Sequence, residues 1–288
     1  MADALPLSVV LATIEPWPDL ANCLAVLEPQ VAALGGEILV GDGHGDALDA
    51  AKASSSERLR WIRLPGASVF ELRARAAAQA RGDIIAMTED HCLVGADWCA
   101  RIVDVFQQHP DADVVSGPVL NGSMDKLMDW ANFLQTFGPF FPPVNRDQDD
   151  RCPPVANVAF RRSVVGSGPI ATGWIELELN PRLFADGRCH LDDGLTVTHV
   201  QSHGFWRTML SHFDNGRSTT GLRTRPWSNV QAPWKRFWRA LGAMGGIKKL
   251  TPGVRASVPL MFVLSCCQSA GEAAGVLAGP GRSPSRLR

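Results

Sequence analysis

The chain has 288 residues, of which 45% are apolar, and a net charge of −1. That length and composition fit a globular protein with a sizeable core, as one large domain or two small ones. The charge is unevenly placed: from Trp234 to Arg288 nine basic residues face a single acid, Glu272, which gives that segment +8 and leaves −9 on residues 1–233. An acidic body with a basic tail argues against a general nucleic-acid binder and suits a tail that meets anionic lipid.

The seven cysteines are odd in number and include no CxxC pair, so reduced thiols in a cytosolic compartment are expected rather than a disulfide frame or a zinc knuckle. The start, MADALPLSVV, carries an acid where a secretory leader would carry basic residues, and its apolar run reads as a first strand. No run of about 18 uninterrupted apolar residues occurs, so no spanning helix is predicted.

Leu7 to Thr13 is a strand-like run. Pro16 and Pro18 end it, and Leu20, Leu24, Leu27, Val31 and Leu34 then recur at helical spacing up to a Gly35-Gly36 cap. Glu37 to Val40 is a second strand, followed by the glycine loop Gly41-Asp-Gly-His-Gly-Asp46. A short helix is predicted over Asp49–Ser56, a third strand over Leu59–Leu64 and an Ala/Arg-rich helix over Val69–Arg81. Ile84 to Met87 forms a buried strand that ends on Thr88, Glu89, Asp90 and His91. A helix over about Ala96–His109 and a strand over Asp113–Ser116 follow. This alternation predicts an α/β fold, a mostly parallel sheet flanked by helices.

After Gly117 the pattern changes. Residues 121–150 are mixed, with a loop over Gly138–Pro143 and a charged surface segment over Arg146–Arg151. Cys152–Val165 is extended, Trp174–Leu183 alternates acidic and apolar residues, Leu195–Val200 is a strand ending near His199, and Phe205–Asn215 is helical. From Trp234 onward Trp, Phe and Leu interleave with Lys and Arg. Val254–Ala278 is largely apolar but holds Pro259, Gln268 and Glu272, a profile for an interfacial helix pair or for a helical hairpin covering the sheet. Pro280–Arg288 is expected to be disordered.

Two carboxylates and an imidazole after a buried strand are costly unless they pair with a cation or open into a crevice. In open α/β sheets ligands bind at that end of the strands. Glu89-Asp90-His91 therefore reads either as a site for a divalent metal and the phosphates it carries, or as a solvated loop. Asp42 and Asp46 sit among glycines that let a backbone approach a ligand, but neither a GxGxxG nor a P-loop pattern is present. Arg73 and Arg75 offer a phosphate clamp or a solvated helix face. Glu176 and Glu178 share one face if extended, with Arg182 close behind; they form a candidate general base or a surface ion-pair cluster. His199 and His203 follow, and imidazole beside carboxylates suits manganese-like ions.

In order and spacing these segments resemble the family 2 glycosyltransferases with a GT-A fold, over roughly residues 7–220: SVVLATIEPW, EILVGDGHGD, RARAAAQARGDIIAMTEDHC, NVAFRR, IELELNPRL and THV. The resemblance implies transfer of a sugar from a nucleotide sugar to an acceptor hydroxyl, by an inverting and metal-dependent route, in polysaccharide or glycolipid assembly. It implies Glu176 as catalytic base, Thr13, Glu15, Asp42, Arg73 and Glu89 at the donor, Trp174 and Arg182 at the acceptor, and Asp90, His91 and His199 at a Mn or Mg ion. It divides the chain into a nucleotide-sugar half (1–120), an acceptor half (121–233) and a basic helical tail (234–288), expected at the inner face of the membrane near a lipid-linked or glycan acceptor. Ala74 stands where many members have Asn, His91 replaces the last acid of a DxD-type run, and Ile175-Glu176 replaces Glu-Asp. These departures keep a non-catalytic scaffold of the same fold open as the alternative. A nucleotidyltransferase would want a glycine-rich basic loop near the first strand, and LATIEPWPD supplies none.

Overall fold

The computed structural model describes residues 5–14, 17–44, 58–144, 153–165, 188–223, 226–246 and 250–287. In chain order the elements are β1 (Leu5–Thr13), α1 (Trp17–Leu34), β2 (Glu37–Asp42), β3 (Leu59–Arg63), α2 (Val69–Ala77), β4 (Gly82–Met87), β5 (Cys92–Val94), α3 (Trp98–Gln108), β6 (Val114–Ser116), β7 (Val119–Asn121), α4 (Leu127–Phe137), β8 (Val158–Arg161), α5 (Arg162–Val165), β9 (Cys189–Leu191), β10 (Val197–His199), α6 (Phe205–Gly221), α7 (Pro233–Ala243), α8 (Pro252–Arg255) and α9 (Val258–Ala278). They fall into two compact units, Met1–Val119 with Asp149–His199, and Leu120–Gln148 with Val200–Arg288. The units interleave along the chain, so the basic tail shares its unit with residues 120–148.

The first unit is built on a seven-stranded sheet of order β3-β2-β1-β4-β8-β6-β9. β3, β2, β1 and β4 run parallel, and β8 is antiparallel to both of its neighbours. The central strands are buried on both faces, which is why Val9, Val10, Leu11, Ile85, Ala86 and Met87 form continuous apolar runs. In α1, Leu20, Leu24, Leu27 and Val31 recur every three or four residues and are buried. Gly35 ends this helix at φ +70°, a conformation that costs glycine little.

At the start of β2 the buried Glu37 carboxylate accepts hydrogen bonds from Ser8 Oγ (2.9 Å), Arg81 Nη2 (2.7 Å) and Arg60 Nη1 (3.1 Å). Burial alone would raise its pKa, but these donors hold it below the usual carboxylate range. β5 is a three-residue strand that the sequence does not announce. It pairs antiparallel with β10 and sets Cys92 opposite His199.

The second unit is mostly helical among its described residues. The span 121–150, expected to be mixed, contains α4, whose Met128, Ala131, Phe133, Leu134 and Phe137 are buried. Gly138–Phe140, expected as loop, is a 3₁₀ turn. α6 and α9 meet through glycines: a Cβ on Gly271 would lie 1.9 Å from Phe213 O, and one on Gly216 2.1 Å from Gln268 O. No larger residue fits at that separation. Pro252–Ala278 is long and apolar enough to cross a membrane by length and composition. Within this unit, however, Glu272 of α9 is buried and ion-paired with Arg236, as expected of a bundle helix. Residues 280–287, the described part of the stretch expected to be disordered, carry buried side chains. Ser283 is buried and donates to Asp214 Oδ1 at 2.5 Å, and Leu287 is buried as well.

His212 of α6 is buried between Asn132 Oδ1 (2.9 Å) and Gln268 Oε1 (3.5 Å). Burial lowers its pKa to about 4, against 6.5 in the open chain. The unfolded chain therefore binds this proton first as pH falls. Stability is expected to be full above about pH 6.5 and to drop by about 3 kcal/mol as pH falls toward about 4. Urea unfolding of His212→Gln should show a shallower slope across that window than the native chain; identical slopes would remove His212 as the cause.

Candidate active site

The carboxyl ends of β1, β2 and β4 lie along one edge of the sheet, with Thr13 in register with Asp42 and Val10 with Met87. The chain leaves β4 through buried Thr88, whose Oγ1 donates to Ala156 O at 2.8 Å. That bond fixes the start of Glu89-Asp90-His91. His199, at the end of β10, arrives through the β5–β10 pairing.

These residues converge. His91 Nε2 lies 2.9 Å from His199 Nε2, the two rings edge to face at 85°. Glu89 Oε2 is 3.5 Å from His199 Nε2 and 3.7 Å from His91 Nε2. Arg73 Nη2 faces the other oxygen, Oε1, at 3.7 Å. Asp90 Oδ1 lies 2.8 Å from His91 Nδ1. If His91 Nδ1–H donates to Asp90, its Nε2 carries a lone pair aimed at His199 and Glu89, the arrangement by which a carboxylate orients a metal-binding imidazole.

Burial alone would raise the pKa of Glu89, but the His199 hydrogen bond and the charges of His91, His199 and Arg73 hold it at about 2. Burial pushes His199 down. Glu89 is thus an ionised carboxylate at neutral pH, beside a His199 ring whose burial disfavours its charged form.

Arg73 is brought in by α2. Ser68 caps that helix, accepting from Glu71 N while Glu71 Oε2 accepts from Ser68 N at 3.0 Å. Gly41 and Gly43 allow α2 to press on the end of β2: a Cβ on Gly41 would meet Leu72 O at 2.7 Å, and one on Gly43 would meet Leu72 Cδ1 at 2.9 Å. These glycines, read from sequence as room for a ligand, make room for the residue next to Arg73. Arg73 is buried whereas Arg75 is exposed, so the two arginines separate cleanly.

Asp42 is buried at the end of β2. Its Oδ1 accepts from His44 N at 3.0 Å and lies 2.7 Å from His44 Nδ1, and Arg63 Nε is 3.7 Å from Oδ2. Thr13 Oγ1 is buried without a hydrogen-bond partner among the described residues. Glu15, Trp174, Glu176 and Arg182 lie outside the described residues, as do Asp46, Glu178 and the helix expected over Asp49–Ser56.

The site fits a divalent cation. Asp90 Oδ2 is buried without a hydrogen-bond partner among the described residues, a costly state that a nearby cation relieves. Glu89, Cys92 and His199 have donor atoms within 4.8 Å of one another. Cys92 was not singled out from the sequence; its register opposite His199 is what brings it in. Burial keeps its thiol protonated, with a pKa well above the usual value, which favours oxygen and imidazole donors over sulfur.

Acids and imidazoles gathered at the carboxyl ends of parallel strands mark the edge of an open α/β sheet at which ligands bind. The profile described as Glycosyl transferase family 2 matches residues 8–167. The chain belongs to that family, has its GT-A type of fold, and is a glycosyltransferase by membership. Among solved structures, residues 1–349 of S. aureus TarS match with a TM-score of 0.49 at 12% identity, over 94% of this chain and 91% of that one. No curated protein matches significantly in sequence.

Proposed function

We propose that this chain transfers a sugar from a nucleotide sugar to an acceptor hydroxyl with inversion, in polysaccharide or glycolipid assembly. The observation that carries this reading is the convergence of Glu89, Asp90, His91 and His199 on one point beside buried Arg73, in a family 2 chain. Asp42 and Arg73, with Thr13 and Glu15, hold the nucleotide. Trp174 and Arg182 position the acceptor. Glu176 takes the proton from the acceptor hydroxyl as its oxygen attacks the anomeric carbon from the face opposite the departing diphosphate.

A divalent cation, Mn or Mg, held by His91, His199 and Glu89 with Asp90 behind His91, would offset the charge of that diphosphate. Asp90 keeps the His91 proton on Nδ1 and so keeps Nε2 open. A position at the inner face of the membrane, beside a lipid-linked or nascent glycan acceptor, is supported by the basic, Trp-rich composition of residues 234–288.

The test of the base is Glu176→Gln. Turnover should fall by about 100-fold or more, in the range general-base catalysis supplies, while nucleotide-sugar affinity stays unchanged. Equal turnover would reject Glu176 as the base. The altered acid run, with His91 in the place of an acid, favours a non-catalytic scaffold as the second reading. Binding of a nucleotide sugar with no release of nucleoside diphosphate on any acceptor would support it.

A further inference from the structure

α7 has two unlike faces. Ala240, Leu241 and Ala243 are buried. Arg236 turns the same way and bonds the buried Glu272 carboxylate of α9, which also accepts from Gln231 N at 2.9 Å. A buried ion pair of this kind fixes the roll of a helix, because turning it would strand a charge.

With that roll fixed, Trp234, Lys235, Trp238 and Arg239 all face outward and are exposed. Their spacing, at positions i, i+1, i+4 and i+5, puts two indoles one turn apart, each followed by a cation. Trp234 is 58% and Trp238 62% exposed. Phe237, beside them, meets Phe262 of α9 edge to face at 5.5 Å, and Phe262 is itself 41% exposed, so the aromatic strip continues onto α9.

A cluster of exposed aromatics on a soluble surface marks a contact site. Indoles suit a boundary that is apolar on one side and wet on the other. The cations select the occupant. They sit among the indoles themselves, in a segment that carries +8 on a chain otherwise at −9, so the matching surface is both apolar and negative. An acidic protein surface would meet the cations but leave the indoles unfilled.

We infer that the outer face of α7 lies in the headgroup layer of an anionic phospholipid bilayer, with the helix axis in the membrane plane. The inference gives a surface to the membrane-bound acceptor of the reading above and rests on that reading for its purpose, though its observations come from α7 and α9 alone.

The experiment is flotation of the full chain with vesicles of phosphatidylcholine, alone or mixed equally with phosphatidylglycerol, at low and high salt. The chain should float with the anionic vesicles, lose binding in high salt and ignore phosphatidylcholine alone. Trp234→Ser/Trp238→Ser and, separately, Lys235→Glu/Arg239→Glu should each lower the vesicle partition by about tenfold or more. All four side chains are exposed, so both variants should keep the native melting curve. Failure to float with anionic vesicles would overturn the inference, as would unchanged flotation of both variants. Concentration-dependent self-association that disappears in the tryptophan variant, without flotation, would overturn it in favour of a second copy of this chain. Flotation needs no sugar transfer, so a chain that floats but never turns over a nucleotide sugar would reject the enzymatic reading and keep this one.

Discussion

Replacing His199 by alanine is expected to abolish metal-dependent release of nucleoside diphosphate, with a loss of about 100-fold or more, since a cation at a leaving diphosphate contributes several kcal/mol. His199 Nε2 is the atom that both His91 and Glu89 approach, at 2.9 and 3.5 Å, so its removal opens the cluster from one side. Asp90→Asn should act differently. It keeps the shape of the side chain but weakens its hold on the His91 Nδ1 proton, and metal affinity should fall by about 10–100-fold, the range seen when a carboxylate behind a ligating histidine is removed. Titration of Mn into the protein, followed by electron paramagnetic resonance, separates the two. The alanine variant should bind no Mn, and the asparagine variant should bind it weakly. Full-strength Mn binding in His199→Ala would place the metal elsewhere.

The second large effect falls on stability. Asn157 is fully buried at the start of β8 and is satisfied on all sides. Its Nδ2 donates to Leu195 O at 2.7 Å and to Pro118 O at 3.0 Å, and its Oδ1 accepts from Trp98 Nε1 at 2.9 Å. One amide thus ties β8, α3 and the loops before β7 and β10 together, directly beneath the strand end that carries Thr88 to His91. In Asn157→Ala, Trp98 Nε1 loses its acceptor and Leu195 O its donor inside the core. The expected cost is about 3–5 kcal/mol, since each buried polar group left unpaired costs roughly 1–3 kcal/mol. Urea unfolding followed by tryptophan fluorescence checks it; a loss under about 1 kcal/mol would show that relaxation restores these bonds.

The sheet was legible in the sequence where its physics is local. β1, β2 and β4 are buried on both faces and so read as apolar runs. α1 shows its period, and α2 shows its Ser68–Glu71 cap. β5 and α4 were not legible. Three residues are too few to show a period, and α4 runs into Gly138-Pro-Phe-Phe-Pro-Pro143, whose turn residues dominate the window. Composition does not reveal that Ser283, in the stretch expected to be disordered, has a buried acid, Asp214, to meet.

The same divide holds at the site. Asp42, Arg73, Glu89, Asp90, His91 and His199 could be named because their order along the chain resembles that of the family. Their mutual roles depend on register. Pairing of β5 with β10 sets His199 against Cys92, and only then do two imidazoles separated by more than a hundred residues meet end to end. Asp90, expected at the metal, has one oxygen 2.8 Å from His91 Nδ1 and the other buried without a hydrogen-bond partner among the described residues, a division that no sequence pattern shows. The glycines after β2 were read as space for a ligand, and Leu72 occupies the space beside two of them.

The most direct measurement is release of nucleoside diphosphate by the purified chain from a panel of nucleotide sugars, with Mn or Mg and with a chelator. The account predicts release from at least one donor that depends on the metal and disappears in His199→Ala. Release that persists undiminished in the chelator and in His199→Ala would contradict it, and so would a chain that binds none of the donors.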